Sequence, residues 1–472
     1  MHPIRPIDPV ITFRNSQLEA VRGTLANVQR RSLVMEIYNP YSIVQVSEVL
    51  SDLTIRSGER SIYKGKAVVT RLLNTGLMAV VSVALVDEWD ELSALGRDGK
   101  SVGDEARAFV EDWDARFKVR RDYQVVVSEM RAFFSEITRW IDQADINRGL
   151  PRAEDGRVRT DVFFDLARPI LGKGREYLQR FEYEASLIQP DLAAAHRSFA
   201  QAAIHPLILR APFVYRTFVK PLGYAGDYEM VNQIIGDPLQ GPSTYFQLVN
   251  FMFLQAGVAV AHRNRIDILE ERLNKVAESA VREGRKMRVL NVGCGPAVEL
   301  QRFVSNNRHS DMLELVLVDF SEETLAYTRR CLESAAGSSG RKLNLTMRHE
   351  SVNQLLKRAT HAQHVPLEER FDFVYCAGLF DYLTDKVCTR LIEYFISRSR
   401  NGAGILVTNV HSNNPEKNWM EHFLEWYLIY RDEAGLLAAV PPGVDVVETY
   451  TDPIGANVFV EAIVRNPGSA PV

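Results

Sequence analysis

The sequence predicts an α/β chain: a C-terminal, mostly parallel sheet ending in an antiparallel hairpin, preceded by an α-helical region and a small N-terminal β-barrel. Three observations predict it. Apolar runs of strand length alternate with helical stretches through residues 286–466. The run Val289-Leu290-Asn291-Val292 enters a turn, Gly293-Cys294-Gly295-Pro296-Ala297, that leads into helical sequence. Residues 10–95 instead carry short β-branched runs without helical periodicity.

In the first unit, Ser32 to Ile37, Ile43 to Leu50, Ala67 to Leu73 and Leu77 to Leu85 are the expected strands, with Asn74-Thr75-Gly76 as a hairpin turn. The layout resembles a PilZ domain, a family that commonly binds cyclic di-GMP. Asn27-Val28-Gln29 begins like that family's signature but lacks its serine, so the expectation is a degenerate PilZ-like module with a structural or interaction role. Residues 104–285 form the helical linker or lid region. There Tyr123, Val127, Met130, Phe134, Ile137 and Ile141 fall on one helix face, and the loop from Gly149 to Gly156 separates it from later helices.

In the third unit the strands are Val289 to Val292, Leu315 to Val318, Leu343 to Met347, Phe371 to Cys376 and Gly404 to Asn409. Val444 to Thr449 and Val458 to Val464 form the edge hairpin, and the region Val298 to Val304 is a crossing helix. Glycine lets the backbone approach a bound ligand closely, and Asp319, closing the second strand, stands where a ribose diol needs an acceptor. Both strand ends therefore point to a nucleotide-like ligand.

Five alternating units plus a terminal hairpin resemble the class I S-adenosylmethionine-dependent methyltransferase fold, a Rossmann-like sheet. A nicotinamide dehydrogenase more often shows G-x-G-x-x-G, and Val298 occupies the third glycine position here. The resemblance implies a cofactor site of Asn291, Gly293, Cys294, Gly295 and Pro296 at the first turn, Asp319 and Phe320 at the ribose and adenine, Ser351 and Val352 after the third strand, and Ala377 and Gly378 after the fourth. This family's third loop commonly carries an Asp that His349-Glu350-Ser351-Val352 lacks.

Further segments narrow the likeness. Pro221-Leu222-Gly223-Tyr224-Ala225-Gly226-Asp227-Tyr228-Glu229-Met230, Asn409-Val410-His411-Ser412-Asn413-Asn414-Pro415 and Trp419 through Arg431 resemble a bacterial methyltransferase group. It includes the enzymes making extracellular factor 3-hydroxypalmitic acid methyl ester, a quorum-sensing signal. That resemblance implies methyl transfer to the carboxylate of a hydroxy fatty acid, a small-molecule acceptor; the alternatives are a small-molecule O- or N-methyltransferase and a non-catalytic cofactor-binding signalling protein.

A carboxylate is ionised near neutral pH and needs no strong base, so positioning and a dry, apolar channel carrying a cation are what the chemistry requires. Trp419, Met420, Phe423, Trp426, Tyr427 and Tyr430 recur at helical spacing after the fifth strand, as a core stripe or an acyl channel. Arg431 is the expected carboxylate clamp, with Arg216, His262 and Arg265 as alternatives. His411 is expected to donate to the acceptor. Tyr224 belongs to a turn read as a lid, or as a helix cap with Asp227 at the N-cap. Asp381 and Tyr382 are read either as ligand contacts or as helix-entry residues.

The chain has 472 residues, a formal net charge of −4 and 46% apolar residues, which fits buried cores and gives no reason to expect nucleic-acid binding. Its four cysteines have neither metal-type spacing nor a disulfide framework. A reduced cytoplasm, no transmembrane segment, no metal and a homodimer, with the helical region as a dimerisation surface, are the resulting expectations.

Overall fold

The structure, a computed structural model, describes residues 9–29, 31–37, 44–57, 60–74, 79–87, 119–190, 192–360 and 366–465, with isolated positions between 89 and 111. The N-terminal unit is a closed antiparallel barrel. Its strands are β1 (Val10–Arg14), β2 (Ala20–Gln29), β3 (Ser32–Ile37), β4 (Val49–Ser57), β5 (Arg60–Asn74) and β6 (Ala79–Leu85), in the order β1-β2-β3-β6-β5-β4. Ile11, Phe13, Met35, Leu53, Ile55, Val69, Val81 and Val83 fill its interior from alternating positions.

Two sequence expectations are corrected here. β1 and β2 were not foreseen: β1 is only five residues long, and β2 interleaves its apolar residues with Arg22, Gly23, Thr24, Asn27 and Gln29. The strand expected over Ile43 to Leu50 begins only at Val49. Ser47 sits at φ 63 in the turn that precedes the strand, and its backbone N–H bonds to the Val69 carbonyl at 2.8 Å. Ile43 and the Thr75-Gly76 turn lie outside the described residues, as does much of the segment before residue 119.

Among the described residues, seven helices follow: α1 (Arg121–Arg148), α2 (Thr160–Ser186), α3 (Ala193–Ile208), α4 (Pro212–Val219), α5 (Tyr228–Ile235), α6 (Thr244–Leu254) and α7 (Gly257–Glu283). Tyr123, Val127, Met130, Phe134, Ile137 and Ile141 are all buried, so the periodic face of α1 forms the helical core with α2, α3 and α6. Asp227 caps α5, accepting the Met230 N–H at 2.8 Å.

The C-terminal sheet has seven strands: β7 (Met287–Val292), β8 (Leu313–Asp319), β9 (Asn344–His349), β10 (Phe371–Cys376), β11 (Ser399–Val410), β12 (Val444–Thr451) and β13 (Asn457–Val464), in the order β12-β13-β11-β10-β7-β8-β9. β7 to β11 run parallel, and β13 pairs antiparallel with both β11 and β12. The crossing helices are α8 (Val298–Asn306), α9 (Glu322–Ser339), α10 (Val352–Thr360) and α11 (Asp385–Arg398); two short ones follow β11, α12 (Lys417–Phe423) and α13 (Glu433–Ala438). Because strand order reverses between β7 and β10, a crevice opens at their carboxyl ends.

The aromatic stripe is not one helix. Glu425 adopts φ 48, and the Leu424 and Trp426 N–H groups both bond to the Met420 carbonyl, at 3.1 and 3.0 Å. Trp419, Met420 and Phe423 therefore pack into the helical core, while residues beyond Glu425 run without helix along the crevice. Among the described residues, no single helix is long and apolar enough to cross a membrane.

Candidate functional site

The crevice deepens into a cavity of about 1210 Å³, counted with its open mouth. Asn291, Gly293, Cys294, Gly295, Pro296, Asp319, Phe320, Val352, Ala377, Gly378 and Tyr224 line it. Gly293, at φ 70, lets the chain reverse after β7, and its N–H bonds to the Val318 carbonyl at 2.8 Å.

Asp319 is the charged centre of this end. One carboxylate oxygen accepts the Ser321 N–H at 2.9 Å and the other the Gly295 N–H at 3.2 Å, so the side chain ties the ends of β7 and β8 together. Burial pushes its pKa up to about 6, against the pull of those N–H donors. Beneath the first turn, Glu299 accepts the Tyr375 hydroxyl at 2.8 Å and the Asn291 amide at 3.3 Å. Tyr224 lays its ring beside Phe320, with centroids 4.9 Å apart, so the turn at residues 223–227 covers this end of the cavity.

The rest of the lining includes the side chains of Ile266, Leu379, Tyr382, Val410, Trp426 and Leu428. Trp426 donates its indole N–H to the Tyr382 hydroxyl at 3.0 Å. Two groups from α7 enter this wall. His262 bonds through Nδ1 to the Val258 carbonyl at 2.8 Å, and burial beside Arg265 drives its pKa down to about 3. Arg265 is 7% exposed, and its Nη1 has no hydrogen-bond partner among the described residues. It lies flat against Gly378, where an added Cβ would stand 3.0 Å from Nη1. Asp381, whose pKa burial pushes up to about 6, and Glu299 attract it from nearby without pairing with it.

Three expected site residues are corrected. Arg431 does not line the cavity: Nε and Nη2 hold Asp385 at 2.8 and 2.6 Å, Nη1 bonds to the Phe380 carbonyl and Asn409 Oδ1 at 2.9 and 2.6 Å, and Nη2 also reaches the Leu383 carbonyl at 2.6 Å. With its donors spent inside the fold, it braces the β10 and β11 loops and has none left for a carboxylate. His411 faces Glu433 at 3.1 Å and accepts the Asn413 N–H at 3.0 Å, also away from the cavity. Ser351 caps α10: it accepts the Gln354 N–H at 3.3 Å, and its own N–H donates to Gln354 Oε1 at 2.7 Å.

Arg265 was only one of several candidate cations in the sequence, yet a signal for it was present. Ala261, Arg265, Leu269, Leu273 and Ala277 follow one another at intervals of four and are all buried, so a guanidinium occupies a position that the apolar stripe assigns to the core. Gln17 and Gln45 of the barrel also line the cavity, and no local pattern announces them.

Residues 283–430 match the model of a family described as a methyltransferase domain. No curated protein matches the chain in sequence. Among solved structures, a possible exported protein from Bordetella parapertussis is 16% identical over 53% of this chain and 86% of its own, with a TM-score of 0.40. Magnesium protoporphyrin IX methyltransferase from Synechocystis, with bound S-adenosylhomocysteine, is 13% identical over 54% and 98%, with a TM-score of 0.35. The N-methyltransferase NodS from Bradyrhizobium japonicum is 11% identical over 50% and 97%, with a TM-score of 0.31. The assignment rests on the family match and on the site itself. The C-terminal unit matches a methyltransferase domain, and S-adenosylmethionine is the cofactor that such a domain implies. The residues fit that group: a buried carboxylate at Asp319 for a diol, the open Gly293 to Pro296 turn, and Phe320 and Val352 as apolar surface for a base.

Proposed function

We propose that this methyltransferase esterifies the carboxylate of an acyl chain, with a hydroxylated fatty acid as the acceptor class. Arg265 carries the reading. A buried guanidinium with an unspent Nη1, set in a largely apolar wall beside the cofactor end, is the counter-charge that an ionised acceptor requires, and its fork matches the two oxygens of a carboxylate. Bound S-adenosylmethionine supplies an electrophilic methyl group whose bonding pair stays on sulfur, so an ionised carboxylate acceptor gives up no proton. Asp319 holds the cofactor, Arg265 orients the acceptor oxygen, and Tyr382, Trp426 and Leu428 keep water out. His262, neutral down to about pH 3, is too weak a base to activate a hydroxyl or amine.

A second reading has one observation behind it. Asp381 lines the cavity with its pKa pushed up to about 6, which suits a general base for a hydroxyl or nitrogen acceptor. Incubation with methyl-labelled cofactor and a panel of hydroxy acids, alcohols and amines separates the two. The carboxylate reading expects label in a product that alkali hydrolyses, whereas alkali-stable product and a rate that depends on Asp381 would replace it with the second. The N-terminal barrel we read as a degenerate PilZ-like module, supported by its six-strand closed layout.

A further inference from the structure

We infer that the N-terminal barrel is a wall of the methyl-transfer site, in which the amides of Gln17 and Gln45 recognise a neutral hydrogen-bonding substituent, such as a hydroxyl, on the acceptor. This rests on the carboxylate-acceptor reading above and goes beyond it by giving the barrel a part in substrate choice.

Both glutamines line the same cavity as the Gly293 turn and Arg265. Gln45 is 8% exposed, and neither side-chain amide has a hydrogen-bond partner among the described residues. Amides that line the cavity without a protein partner are available to a ligand bound there, whose hydrogen bonds they can complete.

The loops carrying the two residues are locked to each other. One oxygen of Glu48, a buried side chain, accepts both the N–H and the hydroxyl of Ser16 at 2.6 Å, and the other accepts the Gln45 N–H at 2.6 Å. A single carboxylate thus fixes the residue before Gln17 and the backbone of Gln45 itself. The same loops are seated on the cavity's other walls. The Val49 N–H bonds to the Gly223 carbonyl at 2.7 Å, next to Tyr224. The Ser47 hydroxyl reaches the carbonyls of Glu425 and Tyr427 at 3.2 and 3.0 Å, on either side of Trp426. With Asp319, Phe320 and Val352 assigned to the cofactor, the barrel amides are assigned to the acceptor, where a donor-acceptor amide suits a hydroxyl better than a charge.

The test uses the full chain loaded with S-adenosylhomocysteine. Change in tryptophan fluorescence on titration, with Trp426 in the cavity wall, reports binding of a hydroxy fatty acid and of the unsubstituted acid of equal length. The wild type is expected to bind the hydroxy acid roughly five- to tenfold more tightly. Gln45→Ala and Gln17→Ala should each shrink that preference while leaving S-adenosylhomocysteine affinity and the melting temperature unchanged, and Gln45→Glu, which keeps the size, should weaken both acids by adding a like charge. Equal binding of the two acids by the wild type would overturn the barrel's role and leave the carboxylate reading standing. Glutamine variants that weaken S-adenosylhomocysteine instead would overturn it by assigning these amides to the cofactor. If neither acid binds, both readings fall.

Discussion

Asp319 and Arg431 show how burial and bond count decide what a charged side chain does. Asp319 is held by two backbone N–H groups and still sits at about 6, because burial outweighs them. A ribose diol donates to the ionised carboxylate, so the folded protein must lose a proton before the diol can be held there. Cofactor affinity is therefore expected to be constant above about pH 6 and to fall up to tenfold per pH unit below it. Calorimetric titration with S-adenosylhomocysteine from pH 5 to 8 should show that slope, and Asp319→Asn should bind more weakly and lose it. Arg431 is the opposite case, a cation whose donors the fold has consumed. Arg431→Ala removes five donated bonds and leaves Asn409 Oδ1 without its donor, and is expected to cost about 1–3 kcal/mol of stability, read as a lower denaturation midpoint. His411→Ala should leave the acceptor KM within about twofold, the range expected where no contact is lost. Sequence made both residues look catalytic because they follow β11, the right strand; it could not show that their side chains turn back into the fold.

At the scale of elements, strand patterns were legible wherever both sheet faces are buried. β7, β8 and β10 read as continuous apolar runs because helices cover both sides, and β10 begins and ends where its residues predict. The barrel was harder to read, since its outward positions are polar and its strands break at bulges such as that between Thr12 and Arg14. The aromatic segment misled for a different reason. Its period holds from Trp419 to Phe423, and the left-handed Glu425 then ends the helix, a backbone choice set by tertiary contacts. What fixes α12 in place is Glu182 of α2, which accepts the Trp419 and Asn418 N–H groups at 2.7 and 3.0 Å. Glu182→Ala removes that distant cap and should cost about 1–2 kcal/mol, measurable as a shift in thermal midpoint without loss of cofactor binding.

For the whole molecule, the structure joins three units that the sequence separated by texture. The helical region supplies Arg265 and Tyr224, the sheet supplies Asp319 and the glycine turn, and the barrel supplies Gln17 and Gln45. Their convergence was not legible, because contacts between residues far apart in sequence leave no local period. The seam between barrel and helices centres on Tyr427, which packs with Val46 and Val68 and accepts a bond from Arg197 at 2.6 Å. Tyr427→Ala is expected to cost about 3–5 kcal/mol and to split thermal unfolding into two transitions by calorimetry, the first being release of the barrel.

The most direct test of the account is the kinetic split of Arg265→Ala, with the hydroxy acid as varied substrate and S-adenosylhomocysteine affinity measured on the same protein. We expect the acceptor KM to rise about 10- to 100-fold, as for loss of a charge-assisted bond, with cofactor affinity unchanged. A fall in cofactor affinity with an unchanged acceptor KM would instead assign Arg265 to the cofactor and contradict the carboxylate clamp.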